Sequence, residues 1–309
     1  MPKSFLSLLP LSRFDVDRDH VARERIDLLD ELWADPSTRV LPVHAGSALL
    51  SGPSSLALLP VASVPKSDVR VYLGRSTSST SPEPVGTPIV AVELSDVAQF
   101  VDGRWANLRQ VGHSLSDRDA GLLTQALGIL NWHATHQFSP STGQATIVER
   151  GGWVRRDPIH GGEVFPRTDP AIIVGITDDA DRMLLGSNAL WESNRYSLLA
   201  GFVEPGESLE AAVVREVFEE SGIRVVDPAY LGSQPWPFPA SLMLGFSARV
   251  EPGSNQQPVP DGKEIVKLRW FSREDLSSAL SEIRLPGRTS IARAIIEQWF
   301  GEPIDDGQR

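Results

Sequence analysis

Six glutamates crowd into the span from Glu204 to Glu220, with Gly201 before them and Gly222 after. Three of them, Glu216, Glu219 and Glu220, are spaced i, i+3 and i+4, so on a helix they share one face. Like charges placed that way repel. A cation among them removes the repulsion, and hard divalent ions with oxygen ligands suit carboxylates best. The chemistry such a cluster offers is that of bound Mg²⁺ or Mn²⁺. A solvated acidic helix face is the blander alternative. It leaves the flanking glycines and the single Arg215 unexplained.

The elements that must position these carboxylates can be read from the same stretch. Pro205 and Gly206 mark a turn, Ser208 is placed as an N-cap and Gly222 as the residue after the helix. At about 100° per residue, Ala211, Val214, Val217 and Phe218 gather on one side. Glu216, Glu219 and Glu220 gather on the other, with Arg215 at the border and Leu209 out of place on the carboxylate side. The pattern predicts a helix with one face for a core and the opposite face for a metal.

The segment resembles the Nudix box, G-x5-E-x7-R-E-U-x-E-E-x-G-U, where U is bulky and aliphatic. Gly201, Glu207, Arg215, Glu216, Val217, Glu219, Glu220, Gly222 and Ile223 fill its fixed positions. Nudix proteins hydrolyse a nucleoside diphosphate linked to another moiety with the help of bound divalent metal. The resemblance implies that Glu216, Glu219 and Glu220 ligate the metal, that Ala200 lends a main-chain carbonyl, and that Arg215 holds the glutamates by charge-assisted hydrogen bonds. Glu219 is the box carboxylate expected to act as general base.

A second motif runs Ser233-Gln234-Pro235-Trp236-Pro237-Phe238-Pro239-Ala240-Ser241. Prolines alternating with aromatics force an extended, stiff backbone. Such a segment either offers a flat wall to a nucleobase or nicotinamide ring, or is a rigid edge whose rings plug the core. It resembles the S-Q-P-W-P-F-P-x-S signature of the NADH pyrophosphatase branch of the Nudix family. That resemblance implies substrate binding by Gln234, Pro235, Trp236, Pro237, Phe238, Pro239, Ala240 and Ser241. Phe165-Pro166-Arg167-Thr168-Asp169-Pro170-Ala171 is similar to the branch's F-P-R-x-D-P-A segment. Phe165 and Phe202 match its stacking positions, Glu264 a further metal-binding glutamate, and Arg109 and Ala292 lesser substrate contacts. Taken alone, Phe165 reads as core, Glu264 as a surface charge, Arg109 as half of an ion pair and Ala292 as a helix former.

The branch often carries a zinc ribbon before the F-P-R segment, with two pairs of cysteines, and this chain has no cysteine. Ser139, Thr142, Asp157 and His160 stand in their place. Soft thiolates supply most of the affinity of structural zinc, so this set is a poor site and no zinc is expected. The ribbon shape is expected to persist through Trp153, Phe138 and hydrogen bonds. His133, His136 and His160 are read as ordinary surface or core histidines.

The chain has 309 residues, 41% of them hydrophobic, enough for two cores. Its net charge of −11 argues against a general nucleic-acid binder, which needs a basic face. Local positive charge must come from metal and from Arg109, Arg167 or Arg215. No apolar run reaches the roughly 18 residues of a membrane span, and the apolar run Phe5–Leu11 is broken by Pro10. The cytoplasm is therefore the expected location.

Short β-like runs (Val40–Val43, Leu56–Val61, Val69–Leu73, Pro88–Leu94) precede a helix from Asp117 to His136. Strands at Ala171–Ile176, Arg182–Leu185, Ile223–Val226, Leu242–Val250 and Val266–Phe271 surround the box helix, and a helix closes the chain at Ser290–Phe300. No internal repeat shows. The expected class is α/β (α+β): a C-terminal α/β/α sandwich with a mixed sheet, after a β-rich N-terminal domain. The expected boundaries are 1–130 for an NADH-pyrophosphatase-like domain, 131–166 for the ribbon remnant and 167–309 for the Nudix domain. The resemblance implies a homodimer that cleaves NADH or NAD⁺ to AMP and nicotinamide mononucleotide, and that can attack NAD-capped RNA. Another nucleoside diphosphate such as ADP-ribose, or a non-catalytic nucleotide-binding module, are the rival readings.

Overall fold

The computed structural model describes residues 5–67, 69–100 and 102–307. The outermost residues of the expected domains, 1–4 and 308–309, lie outside the described residues. The chain forms two compact units. One comprises residues 13–168 together with 235–240. The other comprises the N-terminal residues to Ser12, then 169–234 and 241 onward.

The N-terminal unit is built on a mixed sheet. Its main strands are β1 (Arg39–His44), β2 (Ser47–Gly52), β3 (Leu59–Pro60), β4 (Arg70–Ser76), β5 (Pro88–Glu93) and β6 (Arg104–Asn107), with two-residue strands Val16–Asp17 beside β4 and Ser55–Leu56 beside β2. β1 runs parallel to β5 and antiparallel to β2 and β3. β4 pairs antiparallel with β5, and β6 with β2. Val40, Tyr72, Val90 and Val92 bury one face against Leu28 and Leu32 of a short helix. The long helix α1 (Asp117–Thr135) is capped by Ser116, whose Oγ accepts the Asp119 N–H. Its apolar residues Leu122, Leu123, Leu127 and Leu130 are buried. The predicted strand Leu56–Val61 is broken into two two-residue pairings and a 3-10 turn at Val61–Ser63. Pro60 has no N–H to continue a ladder.

The ribbon remnant survives as the strands Ile147–Glu149, Val154–Arg156 and Glu163–Val164 in one small sheet. A buried carboxylate is its hub. Asp157 accepts hydrogen bonds from Thr142 Oγ1 at 2.6 Å, from the Ile159 and His160 N–H groups at 2.9 and 3.1 Å, and from the His160 ring. These donors, the Thr142 hydroxyl first, hold its carboxyl well below the usual range. Behind it, buried Arg155 donates to Thr146 and to His133 Nδ1, while His133 Nε2 donates to the Gly152 carbonyl at 2.8 Å. Trp153 fastens the segment through its Nε1–H to the Tyr72 carbonyl, with Arg23 stacked on the ring. Phe138, expected to help hold the ribbon, does so through its main chain, in a bridge to Ala145, while its side chain is 61% exposed. A polar network needs no apolar plug at that position.

The C-terminal unit has β7 (Asp169–Thr177), β8 (Met183–Asn188), β9 (Leu199–Phe202), helix α2 (Leu209–Ser221), β10 (Val225–Trp236), β11 (Ser241–Val250), β12 (Ile265–Phe271) and helix α3 (Ile291–Phe300). β7 runs parallel to β11 along its whole length, from Asp169 opposite Ser241 to Thr177 opposite Arg249. It runs antiparallel to β8 and β9, and β8 pairs antiparallel with β12. Alternation along β7 splits the core into two layers. Ile172, Val174 and Ile176 pack with Ala212, Val213 and Val217 of α2. Ile173 packs with Ile291, Ala294 and Ile295 of α3. This is the expected α/β/α sandwich on a mixed sheet. The predicted strand Ile223–Val226 runs on to Trp236 because β10 is an edge strand, where Pro228 and Pro235 cost no ladder bond.

Candidate active site

The box helix is capped as its sequence predicts. Ser208 Oγ accepts the Ala211 N–H at 3.2 Å, and Gly222 ends the helix at φ 68°, a conformation that favours glycine. The faces are not where the pattern put them. Val214 and Phe218 are 42% and 49% exposed, while Ala212, Val213, Val217 and Glu220 are buried. At about 100° per residue, Ala212, Glu216, Glu220, Val213 and Val217 fall within one arc of about 140°. Two of the three box carboxylates therefore lie within the helix face that packs on the sheet. The assumption that charge turns outward failed at these two positions.

Arg215 organises the cluster. Its Nε and Nη2 grip Glu207 bidentately at 2.7 and 2.8 Å, its Nη1 reaches Glu216 at 2.9 Å and Glu219 at 3.1 Å, and Nη2 also donates to the Phe202 carbonyl. This fork geometry is specific to a guanidinium. It pulls the Glu207 carboxyl down to about 2 and raises Arg215 further above its ordinary value. Gly201 lies against the same carboxylates: a Cβ there would sit 2.0 Å from the Glu216 carboxyl carbon. No side chain other than hydrogen fits, which accounts for the first glycine of the box.

Glu220 is 6% exposed, and its Oε2 has no hydrogen-bond partner. Burial, then the neighbouring charges of Glu264, Glu216 and Asp261, push its carboxyl up to about 8, with a hydrogen bond from the Ala200 main chain opposing. Burial also raises Glu216, against the pull of Arg215. Glu219 is more than half exposed. Glu264 is exposed, its main chain anchored by Asp261, which accepts the Glu264 and Ile265 N–H groups. Among the described residues no three His, Asp or Glu stand close enough to hold a metal ion, and Glu216 and Glu219 are paired with Arg215. The donor set nonetheless fits a hard divalent cation. It is all oxygen, and a buried, unpartnered, electrostatically penalised carboxylate oxygen is what such an ion relieves.

The proline–aromatic stretch divides its labour. Gln234 is fully buried: its Oε1 accepts the Leu11 N–H and its Nε2 donates to the Thr289 carbonyl. Ala292 is also buried, in the first turn of α3. Residues 235–240 belong with the N-terminal unit. There Trp236 and Phe238 stand edge to face with centroids 5.0 Å apart. The Arg109 guanidinium lies over Phe238 at 3.9 Å and over Trp236 at 4.9 Å. Asn131 Nδ2 donates to the carbonyls of Pro237 and Pro239. The Phe238–Pro239 peptide is cis. Phe165 and Phe202 are 55% and 59% exposed, each within its own unit. Glu207 held a box position but no assigned role in the sequence reading. Asn131 carried no sequence signal, since it acts across a fold contact, and Asp261, a local acceptor for the Glu264 and Ile265 N–H groups, was not singled out.

The family model described as "NUDIX domain" matches residues 166–294, and the one described as "NADH pyrophosphatase-like rudimentary NUDIX domain" matches residues 37–132. The chain is 39% identical over 307 residues to "NAD-capped RNA hydrolase NudC" of Mycobacterium tuberculosis (strain ATCC 25618 / H37Rv), covering 94% of each chain. It is 39% identical over 219 residues to the protein of that name in Stutzerimonas stutzeri (strain A1501), covering 71% of this chain and 76% of that one. It is 36% identical over 201 residues to human "NAD-capped RNA hydrolase NUDT12", covering 60% of this chain and 43% of that one. The chain belongs to the Nudix hydrolases. Within them it belongs to the NADH pyrophosphatase-like branch, in a form without the ribbon cysteines.

Proposed function

We propose that this protein is a metal-dependent hydrolase of the pyrophosphate bond of NADH and NAD⁺, releasing AMP and nicotinamide mononucleotide, and that it also removes NAD caps from RNA. The observation that carries the reaction class is the Arg215–glutamate cluster with the buried, unpartnered Glu220 oxygen. Similarity along nearly the whole chain to hydrolases of NAD-capped RNA supports the substrate. Glu216, Glu219, Glu220 and Glu264, with the Ala200 carbonyl, would hold Mg²⁺ or Mn²⁺. Such an ion, when bound, neutralises pyrophosphate charge and lowers the pKa of water. Arg215 keeps the carboxylates at fixed spacing. Glu219, the exposed member, takes the proton from the attacking water. One P–O bond forms as the bridging P–O bond breaks, and the second mononucleotide leaves on its phosphate.

Trp236 and Phe238 offer ring faces and edges to a base, held stiff by Pro235, Pro237, Pro239 and Asn131, with Ala240 and Ser241 leading into β11. Arg109 fixes the two rings by cation–π contact. Phe165 and Phe202 present exposed rings for stacking. Gln234 and Ala292 act from behind, by holding the backbone around them.

Among the described residues no helix is long and apolar enough to cross a membrane. Cytoplasmic location and a homodimer belong to the same proposal, and sedimentation of the purified protein at two chains per particle would support the dimer. The central test is product chromatography after incubation with NADH and either metal, beside Glu219→Gln. AMP and reduced nicotinamide mononucleotide from the wild type alone support the proposal, and an uncleaved substrate overturns it. Trp236→Ala should slow NADH more than ADP-ribose, and equal losses would exclude the ring assignment. Given the net charge of −11, cleavage of NAD-capped RNA should depend only weakly on salt.

A further inference from the structure

The two sheets share one wiring. Replacing each of β1 to β6 by the strand six places later reproduces the parallel central pair, the two antiparallel neighbours of its first strand and the outer pairing. Three segments around the first sheet therefore correspond to three around the second. The connection 77–87 matches 237–240. The connection 53–58 matches 189–198. The first turn of α1, capped by Ser116, matches that of α3, capped by Ser290. Counted from the caps, Arg118 stands where Ala292 stands.

In the N-terminal unit the three segments enclose a cavity of about 350 Å³. That is within the size range of small-molecule sites. Its floor is a buried ion triad. The Arg118 guanidinium, 3% exposed, binds the Glu83 carboxylate on one side and Asp119 on the other at 2.9 Å. The remaining Asp119 oxygen accepts the Leu56 N–H at 2.9 Å. One guanidinium between two carboxylates leaves the floor net negative, which disfavours a phosphate. A carboxylate is a good acceptor for sugar hydroxyls, as acidic residues are for ribose in dinucleotide sites. The walls add the hydroxyls of Ser51, Ser55, Thr80, Ser81 and Ser116. Leu56, Leu58 and Pro82 supply apolar surface for a base.

We propose that this cavity is a second ligand site, for a ribonucleoside bound without phosphates. It binds and does not cleave. Where the C-terminal unit has its box helix, the N-terminal unit has only the turn Val61–Ser63, and no glutamate occurs between Pro60 and Arg70.

The cavity shares no residue with the proposed catalytic site, so the experiment separates the two readings. Adenosine is titrated calorimetrically, in EDTA, into the full-length wild type, Ser81→Trp, Ser55→Trp and Trp236→Ala. NADH hydrolysis is measured in the same preparations with metal restored. The expected result is binding by wild type and Trp236→Ala, weakened at least tenfold in Ser81→Trp and Ser55→Trp, whose NADH hydrolysis stays at the wild-type rate. Absence of adenosine binding in the wild type overturns the proposal. So does its loss in Trp236→Ala, or wild-type affinity in both filled variants. Failure of NADH hydrolysis in every preparation, with adenosine still bound as expected, would instead remove the catalytic reading alone.

Discussion

The two halves of this chain share a sheet and differ in what fills the gap after its third strand. In the C-terminal unit a helix of 13 residues fills the gap and brings carboxylates against β9. In the N-terminal unit a three-residue turn fills it. One wiring thus supports a site whose carboxylates are destabilised by burial and a site whose charges are already paired. In the first, Glu220 is buried with an unsatisfied oxygen. In the second, Arg118, Asp119 and Glu83 satisfy one another. A penalised, unpartnered carboxylate marks the site that does chemistry, and paired charges mark the cavity that only holds a ligand.

The largest effect should come from the box. Glu219→Gln should lower kcat by roughly 10²–10⁴-fold, the range for loss of a positioned acid–base group, and Glu220→Gln should lower it by removing a carboxylate that would hold the metal. They should part company without metal. The folded Glu220 carboxyl, raised to about 8 from 4.5, keeps its proton longer than the unfolded chain does. Metal-free wild type should therefore lose stability as pH rises from about 4.5 to 8. Glu220→Gln should remove that slope and Glu219→Gln should keep it, as read by urea midpoints in EDTA. Identical slopes in all three would show that Glu220 is not penalised.

Next is Gly201→Ala. Its new Cβ must displace the Glu216 carboxylate, and a shift of about 1 Å near reacting groups costs on the order of 10²-fold in rate. Far-ultraviolet circular dichroism should stay unchanged. A fully active Gly201→Ala would mean that Glu216 has room to move without consequence.

In the N-terminal unit the effects should fall on stability. His133 is buried, its Nδ1 faces the Arg155 guanidinium, and burial first, then Arg155, lowers its pKa from 6.5 to about 4. The unfolded chain takes up the proton first as pH falls. Stability should therefore be intact above about 6.5 and decline toward pH 4, by on the order of 3 kcal/mol at most. His133→Gln should flatten that decline in denaturation midpoints. The smallest effect is expected from Asp157→Asn, which keeps the shape and removes the charge at the ribbon hub. Exchange of the Ile159 and His160 amides should speed up about tenfold, the worth of roughly one charge-assisted hydrogen bond. NADH hydrolysis should not change. A large loss of activity would tie the ribbon to the reaction and blur the contrast between the halves.

Much of the catalytic half was legible because its signals are local. Ser208 and Gly222 bound a helix by capping, and the spacing of Glu216, Glu219 and Glu220 belongs to that one helix. What failed did so for non-local reasons. Val214 and Phe218 read as core because apolar residues were assumed to face inward, yet the sheet takes the arc holding Glu216 and Glu220. Phe138 was expected to help hold the ribbon, and it does so by its main chain while its ring stays exposed. The shared wiring of the halves left no sequence repeat, because pairing is set by backbone geometry and tolerates any side chains of suitable pattern.

By itself the sequence determined the chemistry on offer: which carboxylates stand at helical spacing, which arginine sits among them, which prolines stiffen the aromatic stretch, and that no thiolate can hold a zinc ion. Only the tertiary structure decided which carboxylate is buried, that Arg215 binds Glu207 as a fork, that Gly201 lies against Glu216, and that Arg118, Asp119 and Glu83 meet under a cavity. The division has a physical cause. Residue type and spacing set what a group can bind, whereas burial and partnership depend on chain segments far apart in sequence, and these set what binding is worth.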